Sequence, residues 1–152
     1  MTSGRLRAAV VAAKTELVLR MLAGIATLPL ATESEFVALP HAVAAGESYL
    51  RRGLEALFDF GRHVLAKGHG ISGTEYKEVA RRLGENGVLE PREAALMFEM
   101  AGYRNRLVHF YDEVTAAELY RILTVHRDDI RVLLDALRAW IAARPQLLDE
   151  TL

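Results

Sequence analysis

The spacing of apolar residues constrains this chain most, because nearly every segment repeats with the 3.6-residue period of an α-helix. No segment alternates over a useful length with the period of two that a half-buried strand requires. Short stretches rich in proline and glycine separate the periodic segments, and short connections favour antiparallel neighbours. The pattern therefore predicts an all-α, antiparallel up-and-down helical bundle.

Proline, glycine and capping residues give the expected helix ends. The stripe of the first helix runs from Leu6 to Ile25, and Pro29 stops that helix. A long helix is expected after Pro40, another begins at Pro91, and one continuous last helix is predicted to end before Pro145. Three capping boxes, each a Ser or Thr with Glu three positions later, are Thr32 with Glu35, Ser72 with Glu75 and Thr115 with Glu118.

Length and charge limit the classes of function. A chain of 152 residues fits one domain spanning residues 1–152. The absence of cysteine excludes disulfides and thiolate metal sites and fits a reducing cytoplasm. A net charge of -1 does not suit a protein that coats nucleic acid by charge alone, so RNA contact would need a local patch. Lys14, Glu16 and Arg20 interrupt the first apolar stretch, so neither a signal peptide nor a membrane association is expected.

The segment from Arg104 to Tyr111 differs from the rest, with two arginines, an asparagine, a histidine and a tyrosine in eight residues. On an ideal helix, Asn105 and His109 lie about 40° apart and share a face. Arg104 and His109 lie about 140° apart, so a regular helix would not direct both at one atom. Either the chain leaves regular helix near His109, or a second copy of the protein completes the site.

These residue types suit phosphodiester chemistry. Histidine exchanges a proton near neutral pH, and the arginine fork matches phosphate oxygens. RNA supplies its own nucleophile, the 2′-hydroxyl, so cleavage without a metal needs a base, an acid and a cation. A symmetric dimer would bring two histidines and two arginine pairs to one cleft. Taken alone, however, an Arg-rich helix end is usually a solvated surface, and a lone histidine is usually structural.

Arg104-x-x-x-x-His109-x-Tyr111 resembles the Rx4HxY signature of HepT-like HEPN proteins. The similarity extends over about residues 5–142 and includes 47–67, 76–89, 100–114 and 119–123. It implies a HEPN bundle of five or six helices that dimerises through the motif region. It also implies the toxin of a toxin–antitoxin pair, whose antitoxin is a nucleotidyltransferase of the MntA type that adenylylates Tyr111.

The resemblance implies a metal-independent endoribonuclease that acts on RNA as a homodimer and uses no cofactor. Carried over by position, Arg104 and His109 form the catalytic pair, and Asn105 supports them. Many relatives have glycine between the histidine and the tyrosine, where this chain has Phe110. A phenylalanine there could crowd the site or offer a stacking face to a base.

Further residues are candidates for binding the RNA phosphates. Asp59 and His63 lie one turn apart on the long helix, where they could line the same cleft, and Arg106 lies within the motif. The structural alternative for Asp59 and His63 is an ordinary pair on a helix surface. Two other functions stay open: a non-catalytic HEPN subunit that binds nucleotide or substrate for a nucleotidyltransferase, or an inert structural bundle.

Overall fold

The computed structural model describes residues 5–71, 75–109 and 114–151, and these ranges contain seven α-helices. The all-α expectation is confirmed. The only other regular elements in these ranges are two short strands and a 3₁₀ turn at Pro145–Leu147. The helices and strands are β1 (Leu6–Arg7), α1 (Ala8–Ala26), α2 (Glu33–Val37), α3 (Pro40–His69), α4 (Tyr76–Glu85), α5 (Pro91–His109), α6 (Ala116–Val125), α7 (Arg127–Ala142) and β2 (Leu148–Asp149).

Helix α3 lies at the centre of the bundle and packs against each of the six other helices. Pro40 begins the helix, because its fixed φ suits the first position. Gly70 ends it in the left-handed conformation, at φ 69°, with its N–H directed to the carbonyl of Leu65. The buried side chains of α3 form much of the core and include Leu50, Leu54, Leu57, Phe58, Phe60, Val64 and Leu65.

Two glycines of α3 let neighbouring helices approach closely. A Cβ atom on Gly53 would lie 3.2 Å from the Cβ atom of Met21 in α1. A Cβ atom on Gly61 would lie 2.9 Å from a methyl group of Leu83 and 3.1 Å from one of Val79, both in α4. The glycines therefore set the distances of α1 and α4 from α3, and α4 carries one wall of the site described below.

The two ends of the described chain depart from the predicted pattern, because Leu6 belongs to a strand and not to the first helix. Strands β1 and β2 pair in parallel, with Leu6 opposite Leu148 and Arg7 opposite Asp149. Leu6 is fully buried, so its apolar character fits either an inward-facing strand residue or a helix stripe. Its partner lies at the other end of the sequence, where no local pattern reveals it.

The predicted last helix is two helices in the structure, so the described residues contain seven helices where five or six were expected. The break falls at His126, between α6 and α7. The Nδ1 atom of His126 lies 2.9 Å from Asp129, and its Nε2 atom lies 3.3 Å from the hydroxyl of Tyr103. These polar contacts join α5 to the α6–α7 junction, and apolar periodicity continues across the junction without showing it.

Two of the three capping boxes contain the expected cap. The hydroxyl of Thr32 accepts a hydrogen bond from the N–H of Glu35 at 3.2 Å, and that of Thr115 accepts one from Glu118 at 3.1 Å. Ser72 lies outside the described residues. Glu75, which was expected three residues inside α4, instead precedes the first residue of that helix.

None of the helices in the described ranges has both the length and the apolar character needed to cross a membrane.

Candidate active site

A cavity of about 580 Å³ opens between α3, the start of α4 and the second half of α5. Four of the predicted site residues line it, and all four belong to α5: Arg104, Asn105, Arg106 and His109. Arg62 of α3 and Tyr76 and Lys77 of α4 line it as well. The structure therefore brings most of the motif to one cavity and adds residues from two other helices.

The cavity contains the local positive patch that a nearly neutral chain would need to meet RNA. Its lining includes Arg62, Lys77, Arg104 and Arg106, and Glu75 is its one lining carboxylate among the described residues. Cations in a concave surface reinforce one another's potential and raise the local concentration of anions.

Arg104 is fixed by two interactions. Its Nη2 and Nε atoms donate to one oxygen of Glu55, at 2.8 Å and 3.2 Å. Its guanidinium carbon lies 4.1 Å from the centroid of the Tyr76 ring, and its side chain is 15% exposed. Glu55 occupies two of the five N–H groups of the guanidinium, so the others remain able to bind a phosphate oxygen.

Arg106 joins α5 to α6. It forms a two-pronged ion pair with Glu118, in which Nη2 donates to Oε1 at 2.8 Å. This hydrogen bond lowers the pKa of the Glu118 carboxyl. The backbone N–H of Glu118 donates to the Thr115 hydroxyl that caps α6, so the pair holds the motif helix against the first turn of the next helix in the chain.

Asn105 and His109 line the same cavity, as their shared helical face predicts. His109 is exposed and is the last residue of α5. The wide cavity accommodates both Arg104 and His109, although the two side chains leave the helix in different directions. Phe110 and Tyr111 lie outside the described residues, so the stacking of Phe110 and the modification of Tyr111 stay predictions.

Asp59 and His63 are not among the residues that line this cavity. Asp59 pairs with Lys14 of α1 at 3.2 Å and with Arg62 at 3.4 Å. The Nε2 atom of His63 accepts a hydrogen bond from the backbone N–H of Arg7 at 2.9 Å. Helical spacing shows that two residues share a face, but not which neighbouring element that face meets. Their role in RNA binding stays a prediction.

Burial lowers the pKa of His63, and the nearby charges of Lys67 and Arg7 lower it further. This direction agrees with the geometry, because a neutral Nε2 is needed to accept the N–H of Arg7. His63 therefore holds β1 to α3.

Two residues that hold Arg104 were not predicted as site residues from the sequence. They are Glu55, which accepts its hydrogen bonds, and Tyr76, on whose ring its guanidinium lies. Glu55 and Arg104 are 49 positions apart, so no spacing rule connects them. The only signal is that Glu55 stands between the buried residues Leu54 and Ala56 and so begins close to the core.

The comparison with protein families decides the relationship of this chain. The family model described as ribonuclease HepT-like matches residues 19–137 of the 152. The chain belongs to the ribonuclease HepT-like family. A search of curated proteins found no match.

Solved structures share this HepT-like fold at low sequence identity. A tri-AMPylated HEPN toxin of Shewanella oneidensis in complex with its MNT antitoxin has a TM-score of 0.77 at 19% identity, covering 86% of this chain and 97% of that one. A toxin–antitoxin structure with AMP-PNP has a TM-score of 0.76 at 18% identity, covering 84% and 97%. YutE, a cytosolic protein of Bacillus subtilis, has a TM-score of 0.72 at 16% identity, covering 88% and 89%. The expected HEPN bundle is thereby confirmed.

We expect Glu55→Ala to destabilise this HepT-like protein by about 1–3 kcal/mol, because it leaves the mostly buried Arg104 without its carboxylate. Asp135→Ala is the matched control, since it breaks an ion pair with Arg131 in which both side chains are 55% exposed. The control should cost no more than about 0.5 kcal/mol. Urea unfolding of both variants measures the difference, and equal costs would contradict the structural role of Glu55.

We expect stability to fall as the pH falls from about 7 to about 5, in part because of His63. Its folded-state pKa lies below the usual 6.5, so the unfolded chain takes up the proton first. The stabilisation that the neutral His63 contributes is complete above pH 6.5, and it is lost as the pH falls toward the lowered pKa of this histidine. His63→Gln should flatten this part of the profile, measured by thermal unfolding against pH.

His41→Gln is the control for the pH experiment, because His41 is exposed. This variant should show the same dependence of thermal stability on pH as the wild type. His69 also has a pKa lowered by burial and by Arg144, so His63→Gln should remove only part of the pH dependence. A profile unchanged by His63→Gln would show that the Arg7 contact does not contribute to it.

Proposed function

We propose that this protein is the toxin of a toxin–antitoxin pair, a metal-independent endoribonuclease that acts as a homodimer in the cytoplasm. The observation that carries the proposal is that Arg104, Asn105 and His109 line one cavity with an excess of cations. Its antitoxin would be a nucleotidyltransferase of the MntA type that silences it by adenylylating Tyr111.

The proposed reaction uses the 2′-hydroxyl of RNA as nucleophile. One His109 removes the hydroxyl proton as the oxygen attacks the adjacent phosphorus, and Arg104 stabilises the negative phosphorane. The 5′-oxygen of the next nucleotide leaves and takes a proton from His109 of the second copy, which gives a 2′,3′-cyclic phosphate and a 5′-hydroxyl. Asn105 orients His109 or the substrate.

The ion pair between Glu55 and Arg104 supports this role by holding the guanidinium in place before RNA arrives. A fixed cation does not have to be ordered when charge develops in the transition state. The same carboxylate lowers the net positive charge that RNA meets. Glu55 would therefore lower the affinity for RNA while it fixes the position of Arg104.

The homodimer is proposed because the reaction needs both an acid and a base. Within the described residues, the cavity of one chain contains a single histidine. His109 and its neighbour Val108 are exposed at the end of α5, where a second copy could approach. Two copies related by a twofold axis would contribute two imidazoles to one cleft.

Adenylylation of Tyr111 would block RNA by charge and by bulk. Tyr111 follows His109, which lines the cavity, by two positions in the sequence. An adenylyl group adds a negative phosphate and a nucleoside, which repel the RNA backbone and occupy its space. The Shewanella oneidensis toxin structure is described as tri-AMPylated in complex with an MNT antitoxin, which supports this regulation.

The second candidate function is a non-catalytic subunit that binds nucleotide or substrate for a nucleotidyltransferase. The observation that favours it is that Arg104 is already neutralised by Glu55 and mostly covered. Incubation of the purified protein with RNA in EDTA separates the two functions. Products with cyclic-phosphate ends support the nuclease, and intact RNA supports the binding subunit.

We expect His109→Ala to lower RNA cleavage by about a hundredfold or more and to abolish growth arrest, because it removes the proton carrier. The variant should stay folded, since His109 is exposed in the single chain, and it is expected to stay dimeric as well. His41→Ala, at an exposed position outside the cavity, is the control and should cut RNA at the wild-type rate. Wild-type cleavage by His109→Ala would remove the proposed catalytic role.

We expect co-expression with the nucleotidyltransferase to add adenylyl groups that the Tyr111→Phe variant does not acquire, because phenylalanine lacks the acceptor hydroxyl. Intact-mass measurement detects the gain. Tyr103→Phe is the control, since the hydroxyl of Tyr103 is bonded to Glu99 and should not be the acceptor. Equal modification of wild type and Tyr111→Phe would place the acceptor elsewhere.

A further inference from the structure

The ring of Tyr76 contacts two arginine side chains at the cavity, one from α3 and one from α5. The guanidinium carbons of Arg62 and Arg104 lie 4.4 Å and 4.1 Å from the centroid of its ring. The ring itself meets Phe58 edge to face, with centroids 5.1 Å apart, and Phe58 is fully buried. Packing against the core therefore fixes the position of the Tyr76 ring. Contact with this ring in turn limits the positions of both guanidinium groups.

The two arginines differ in the exposure of their side chains and in the carboxylate that each contacts. Arg104 donates twice to Glu55, with a shortest distance of 2.8 Å, and its side chain is 15% exposed. Arg62 meets Asp59 at 3.4 Å, and its side chain is 36% exposed. Of the two stacked guanidinium groups, that of Arg62 belongs to the more exposed side chain.

Stacking does not prevent Arg62 from binding an anion. A guanidinium that lies on an aromatic ring keeps its N–H groups in its own plane, where they can still meet phosphate oxygens.

We propose that Arg62 binds a backbone phosphate of the RNA substrate, while Tyr76 and Asp59 position its guanidinium. The inference rests on the proposed function and names a residue of α3 that the motif does not contain. Arg104 is then the preorganised cation at the reacting phosphate, and Arg62 holds the strand beside it. Asp59 acts on RNA binding only through Arg62.

Binding of a labelled single-stranded RNA tests this role, measured by fluorescence anisotropy over a range of salt concentrations. The His109→Ala background prevents cleavage during the measurement. Arg62→Gln should weaken binding about tenfold, the effect of losing one charge-assisted hydrogen bond. It should also lower the salt dependence of log K by about 0.7, the value for one phosphate contact on a single strand.

Two further variants make the test specific. Arg52→Gln removes the same charge from an exposed position of α3 outside the cavity and should keep the affinity and salt dependence of the background protein. Arg62→Lys keeps the charge but loses the planar fork, so the salt dependence should stay while the affinity falls severalfold. It gives a second reading if thermal unfolding shows that Arg62→Gln is not folded.

Cleavage of the same RNA by the wild-type protein is measured in parallel. If the wild type cuts RNA and both Arg62 variants bind it as Arg52→Gln does, Arg62 is not a binding residue and the proposed nuclease stands. If the wild type neither binds nor cuts RNA, the proposed function fails, and the role of Arg62 fails with it.

Discussion

Burial of the apolar surface of α3 holds the site together, because each wall of the cavity is attached to the core through this helix. Arg62 and Glu55 belong to α3 itself, Tyr76 begins α4 and Arg104 belongs to α5. Helices α4 and α5 both pack against α3, and Gly61 lets α4 approach it closely. The free energy that assembles the site therefore comes mainly from apolar burial. The polar contacts determine how the side chains of the site are oriented within the packed helices.

Electrostatic pairing shows how a chain of net charge -1 can contain a cationic cavity. The arginines of the motif are matched by carboxylates on other helices, Glu55 for Arg104 and Glu118 for Arg106. These pairs tie α5 to α3 and to α6. Because Glu55 uses only two of the five N–H groups of Arg104, structural and binding roles can coexist in that side chain.

Features set by neighbouring residues could be predicted from the sequence, and features set by distant residues could not. Helical periodicity, the caps at Thr32 and Thr115 and the shared face of Asn105 and His109 all depend on spacings of a few residues. The partner of Arg104, the strand at Leu6 and the direction in which His63 faces depend on segments far along the chain. Apolar periodicity also continues through His126, where polar contacts separate two helices. The motif thus identified the helix that contributes most of the cavity lining, while packing around α3 determined which other side chains line the cavity.

The pairing of β1 with β2 joins segments separated by nearly the whole described chain. Closing so long a loop costs more entropy than forming any helix–helix contact between sequence neighbours, so this ladder should assemble only after the bundle has condensed. The backbone N–H of Arg7 also donates to His63 of α3, and α1 follows β1 directly. The strand pair therefore holds the start of the first helix against the bundle. Detachment of α1 and release of the carboxyl-terminal segment should then occur as one cooperative opening, and amides at the two ends should exchange their hydrogens together.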